Sequence, residues 1–257
     1  MDSSATKQED EQGLELAAMR AEQLGATPIA WGPTWHSLKS GSLQVIHAFA
    51  TPERYYLVLG ERAGGGDAAI ADDMAATVTE RWLRGTPQKV LAIEADLNPS
   101  TISHFLQRGL RRLGISCRPT QVPVVVGMLA AAAAGIPPVD PGRSARLEYR
   151  ARECLVLGVA RPEALLSRYV SPAEYVTLRM LAEGSTYAQI AGSRRVAPRT
   201  VANQVASGFR RLGVSGRLEL QQLLLRFASG NAEISRKSML ASAASVTSAA
   251  SAASYAH

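Results

Sequence analysis

The chain has 257 residues, 46% of them hydrophobic and 5% aromatic, enough for one large domain or two small ones. Its mean hydropathy of −0.02 excludes a polytopic membrane protein. The net charge of +6 is unevenly spread: residues 1–80 hold 5 Lys+Arg against 12 Asp+Glu, whereas residues 81–257 hold 23 against 10, and this basic remainder points to a polyanionic partner.

The opening MDSSATKQEDEQ lacks the basic-then-apolar order of a signal peptide. Residues 9–24 have weak helical periodicity and predict a short helix within an acidic arm, 1–30. Residues 42–62 alternate apolar and polar positions around ATPER and predict a β-hairpin. AGGGD at 63–67 predicts a flexible loop. A helix is expected from Asp72 to Arg84, a second capped by Thr86 beside Pro87, and a third capped by Asn98 with Pro99 in its first turn. A fourth falls within 119–135. Twenty-one uncharged residues separate Arg118 from Asp140, long enough for a membrane span, but Pro119, Pro123, Pro137 and Pro138 argue against one. IPPVDPGR, 136–143, predicts a linker. Residues 144–161 predict a second hairpin. Ser171 and Pro172 open a helix that ends at Gly184, Ser185 caps the next, and PRTVANQVASGFRRLG forms a longer one from Pro198. Within it, Val201, Val205, Phe209 and Leu212 are expected to face the core. RLELQQLLLRF supplies the last helix. The Ala/Ser tail, 233–257, is expected to be disordered.

The chain repeats itself, which bears on the whole architecture. Residues 85–116 align without gaps to 184–215, at an offset of 99, with ten identities in 32 positions. They include Gly85/Gly184, Pro99/Pro198, Gly109/Gly208, Arg111/Arg210, Arg112/Arg211 and Gly114/Gly213. The LVLG at 57–60 and 155–158 extends the likeness upstream. The expected fold is therefore mainly α with short β-hairpins: tandem four-helix bundles of helix-turn-helix type, each preceded by a hairpin. The expected domains are 31–135 and 144–232, joined at 136–143.

Two short helices, a tight turn and a longer third helix are the helix-turn-helix arrangement. Ser171-Pro172, Leu181-Ala182-Glu183-Gly184, Gln189-Ile190-Ala191, Pro198-Arg199-Thr200-Val201 and Leu212 to Arg217 follow one another through 170–226. This stretch resembles the DNA-binding domain of LuxR-type (NarL/FixJ, GerE) regulators, a member of the winged-helix-like superfamily. The segment at about 71–134 is similar to it in more divergent form. The resemblance implies a bacterial, cytoplasmic transcription regulator that binds double-stranded DNA.

The third helix would then enter the major groove. In the second copy Ala202, Asn203 and Ala206 turn outward toward base edges; in the first, Ser103, His104 and Gln107 do so. Arg199, Thr200, Gln204, Ser207, Arg210 and Arg211 flank that face and are expected to bind phosphate, as are Thr101, Arg108, Arg111 and Arg112. Asn203 and Gln107 suit adenine. Family members often carry Lys where Ala202 stands and His where Gln204 stands. The expected division of labour has the second copy grip the backbone and the first discriminate bases.

The apolar fourth helix of the first copy is expected to pack on Leu220, Leu223, Leu224 and Phe227. That would make an intramolecular pseudo-dimer, with a homodimer through the fourth helices as a further expectation. The alternative reading is a protein-interaction or RNA-polymerase-binding module, similar to sigma-factor region 4, with weak or no DNA binding. No catalytic constellation, cofactor motif or metal-ligand cluster is recognisable, so neither an enzyme nor a cofactor is expected. Cys117 and Cys154 form no CxxC pair, and His36, His47 and His257 are isolated; a zinc site or disulfide framework is not expected, and a reducing cytoplasm is the natural setting.

Overall fold

The computed structural model describes residues 3–62, 74–115 and 124–230. It is mainly helical with one small antiparallel sheet and divides into two compact units, 1–161 and 162–257. The 63–67 glycine stretch, Cys117 and the 233–257 tail lie outside the described residues.

The first unit is built on the sheet. Its strands are β1 (Leu43–Ala50), β2 (Arg54–Glu61), β3 (Arg143–Tyr149) and β4 (Arg152–Ala160), in the order β1-β2-β4-β3. Both predicted hairpins form, but they join each other instead of serving separate copies. Arg54–Gly60 pairs antiparallel with Cys154–Ala160, Leu57 opposite Leu157. The reason is burial. Leu57, Val58, Leu59, Val156 and Leu157 are fully buried, and a lone two-stranded hairpin cannot cover two apolar faces.

This join overturns the expected division at 136–143. Asp140 accepts the backbone N–H of Gly142 at 3.0 Å and of Ala160 at 3.1 Å, pinning the start of β3 to the end of β4. The supposed linker is thus part of the sheet's frame, and the chain divides after Arg161.

The acidic arm is likewise structural. Helix α1 (Ser3–Gly25) packs on β3 and β4. Leu14 and Ala18, one turn apart, bury against Tyr56, Val58, Cys154 and Val156. Glu22, the next step of that stripe, is also buried. It accepts the Tyr56 hydroxyl at 2.6 Å and pairs with Arg54 at 3.0 Å. Burial, and then this bond to Glu22, push the Tyr56 hydroxyl well above its usual range.

A helix not predicted, α2 (Trp31–Ser40), follows and ends at Gly41 with φ 80°. Helix α6 (Val124–Ala133) is apolar all round, and every residue from Val124 to Ala131 is buried. It packs on α2, α3 (Met74–Leu83) and β2, all within the first unit. Residues Leu220, Leu223, Leu224 and Phe227 of α10 (Arg217–Ala228) are buried in the second unit, where α10 packs on α7 (Pro172–Ala182) and a 3-10 segment, Pro162–Arg168. The apolar residues of both fourth helices that were expected to pair with one another are thus each packed on elements of their own unit.

Each unit contains a three-helix trio. The first is α3, α4 (Gln88–Glu94) and α5 (Pro99–Arg112); the second is α7, α8 (Tyr187–Arg194) and α9 (Pro198–Leu212). The third helix packs on the first two in each. The backbone repeats at the same offset as the sequence. Leu97 N–H to Ala92 O at 2.9 Å matches Val196 N–H to Ala191 O at 3.0 Å, and Ile115 N–H to Leu110 O matches Val214 N–H to Phe209 O. Asp96 and Arg195, at φ 51° and 53°, make the same left-handed bend before the third helix.

Two caps differ from expectation. Thr186, not Ser185, caps α8 in a reciprocal box with Gln189, and Pro87, not Thr86, sits at the N-cap of α4. The residue that accepts the N3 amide decides the cap, and Gln189 N–H lies 3.2 Å from the Thr186 hydroxyl.

Candidate nucleic-acid interface

The second trio holds its third helix firmly. Gly208 lets α9 approach α7: a Cβ there would lie 2.8 Å from Leu178 Cδ1. Glu174, buried in α7, closes the capping box with Ser171 and faces Arg211 at 3.5 Å. Burial pushes its carboxyl up, but hydrogen bonds from Ser207 and Ser171 and the Arg211 guanidinium outweigh that and hold it below the usual carboxylate range. Glu174→Gln is expected to cost about 1 to 2 kcal/mol near neutral pH. The folded carboxyl titrates below the unfolded one, so its contribution is complete above the unfolded value. It fades as pH falls through the folded value. Thermal melts across an acid pH series should show variant and parent converging at the low end.

These contacts sort the expected phosphate ligands of α9. Arg199, Thr200, Asn203, Ala206 and Arg210 are exposed, and Arg199 and Arg210 have no side-chain partner among the described residues. Ser207 and Arg211 face Glu174 instead. Gln204 is committed inward: its Oε1 accepts from the Thr177 hydroxyl at 2.6 Å and from the Arg194 guanidinium. It therefore braces α7, α8 and α9 and is not placed to hold phosphate. Val201, Val205 and Leu212 are buried and Phe209 half-buried, as the periodicity requires.

In the first trio, His104, Gln107, Arg108 and Arg111 are exposed, and Thr101, Ser103 and Arg112 are half-buried. Ser103 bonds back to Pro99 O at 2.9 Å, and Arg111 Nε to Gln107 O at 3.3 Å, both within α5. The Arg112 carbonyl accepts from the Arg62 guanidinium. On α4, Val90 and, at 72% exposure, Ile93 are exposed apolar side chains.

Two residues escape a reading that begins at Pro198. Arg194 is the brace just described, and Arg195 is exposed at the bend. The run SRRVAPRT carried the signal: a basic pair at a tight turn sits beside the start of the next helix. Among residues 162–230, nine arginines stand against four glutamates.

No model of a known protein family, no curated protein and no solved structure matches the chain. Among the described residues no helix is long and apolar enough to cross a membrane, and no group of three His, Cys, Asp or Glu is placed to hold a metal.

Proposed function

We propose that the chain is a bacterial transcription regulator that binds double-stranded DNA through its two trios, each a helix-turn-helix of LuxR type, in the cytoplasm. The observation that carries this reading is the exposed face of α9. Arg199, Thr200, Asn203 and Arg210 stand outward on a helix whose Gln204, Ser207 and Arg211 are engaged by its neighbours, at the far side of a left-handed bend that recurs in α4–α5. Arg199, Thr200, Arg210 and Arg195 supply phosphate contacts, and Asn203 reads a base edge. In the first trio His104 and Gln107 take the base-reading part. The exposed Val90 and Ile93 favour a protein contact, such as RNA polymerase, for that trio alone.

Fluorescence-anisotropy titration against duplex DNA between about 50 and 200 mM salt tests the reading. Arg199→Ala and Arg210→Ala are each expected to weaken binding to every sequence and lower the salt slope by about 1. His104→Ala is expected to relax sequence preference instead. Gln204→Ala should lower the melting temperature and leave the slope unchanged. Absent binding, or binding indifferent to salt, overturns the proposal.

A further inference from the structure

The two edges of the sheet are treated differently. Edge β1 is blunted. Its register shifts between Val45 and His47, and Val45 N–H is taken by the carbonyl of Leu113 at 2.8 Å. Edge β3 has no shift. Among the described residues, backbone bonds to that edge are made only at its start, where Thr27 and Ser144 exchange N–H···O bonds of 2.9 and 2.6 Å. Those bonds show which groups point away from β4. Outward N–H and C=O alternate along a strand, so Arg146 and Glu148 continue the open side after Ser144.

An open groove of about 910 Å³ runs along this edge, between it and the face of α1 that carries Ala17, Ala21 and Leu24. Leu24 is 87% exposed. Charge marks the same place. Glu148 sits directly opposite Glu153 in the β3–β4 ladder, a like-charge pair, and Arg146 is drawn to Glu153. Glu148 has no cation of its own among the described residues.

We propose that edge β3 is the dimer interface of this protein, the occupant being β3 of a second copy in antiparallel pairing centred on Leu147. That register places Arg146 opposite the partner's Glu148, and Glu148 opposite the partner's Arg146. Both belong to the outward-bonding set, so each pair also exchanges two backbone bonds. The two-fold axis brings the two α1 helices side by side on one face, where the small Ala17 and Ala21 permit close approach and Leu24 becomes covered. The interface is independent of the DNA-binding reading.

Sedimentation equilibrium of the full chain at concentrations up to about 100 µM tests it. The parent is expected to be dimeric. Arg146→Glu and Glu148→Arg each place like charges opposite one another twice, and each is expected to weaken the dimer about tenfold or more. The double exchange of Arg146→Glu with Glu148→Arg restores opposite charges and is expected to restore the dimer. Both side chains are exposed, and circular dichroism of each variant separates lost assembly from lost fold. A monomeric parent overturns the proposal and leaves the groove to an extended peptide of another protein. A dimer indifferent to the single changes, or one not recovered by the exchange, also overturns it.

Discussion

A fragment ending at residue 135 is expected to be unfolded, whereas one ending at Arg161 is expected to melt cooperatively. The shorter fragment stops at the Pro- and Gly-rich stretch that reads as a linker, yet it lacks β3 and β4. Without them β2 keeps only β1 beside it, Leu57 loses Leu157 and Leu59 loses Leu155 opposite them, and Tyr55 loses Val159. Burying a Val or Leu side chain is worth about 1.5 to 3 kcal/mol. Removing Val156, Leu157 and Val159 alone therefore takes about 5 to 9 kcal/mol, comparable with the whole stability of a domain. The same logic runs from the other end. A fragment 144–230 carries a hairpin with no sheet to join and is expected to associate, whereas 162–230 contains only the second unit. Circular-dichroism melts and gel filtration of the four fragments decide the matter. A cooperative transition for 1–135 would show the sheet to be dispensable.

Gly109→Ala and Gly208→Ala are expected to differ sharply, although the repeat pairs them. At Gly109 a Cβ would lie 1.9 Å from Thr79 Oγ1 and 2.8 Å from the Ala75 carbonyl, so α3 and α5 would have to separate. At Gly208 the nearest atom is the end of a leucine side chain at 2.8 Å, which can rotate away. Alanine also gains about 1 kcal/mol over glycine inside a helix. That gain about cancels the repacking cost at Gly208. It falls well short at Gly109, where a net loss of about 2 to 3 kcal/mol is expected. Chemical denaturation measures both. Thr79→Ala should recover only part of the loss at Gly109, because the Ala75 carbonyl stays where it is. Equal effects at the two glycines would show that the helix crossings are equally tight.

Helices were more legible in the sequence than the way they assemble. Pro99 and Pro198 open the third helices and Gly114 and Gly213 follow them, so local chemistry alone marks α5 and α9. The merging of the hairpins was not legible, because the partner of Leu57 is decided by burial 100 positions away and not by any turn nearby. Helix α2 escaped because WGPTWHSLKS has a Gly-Pro pair in its first turn and buries only Thr34, Trp35 and Leu38. In the candidate interface, outward Arg199, Asn203 and Arg210 followed from the spacing of Val201 and Val205. Gln204 did not, because its partners Thr177 and Arg194 reach it from two other helices. Periodicity says which way a side chain leaves its own helix, and neighbours decide what it meets.

The long reach between β2 and β4 also sets an order of events on the ribosome. Synthesis at about 5 to 20 residues per second leaves β2 waiting some 5 to 20 s for the strand that completes it. During that interval β1 alone guards one of its edges, and the first trio can already form, because α3, α4 and α5 lie close together in the chain. The second unit draws its contacts from neighbouring segments and closes as soon as it emerges. The half of the protein made first therefore finishes folding only shortly before the half made last.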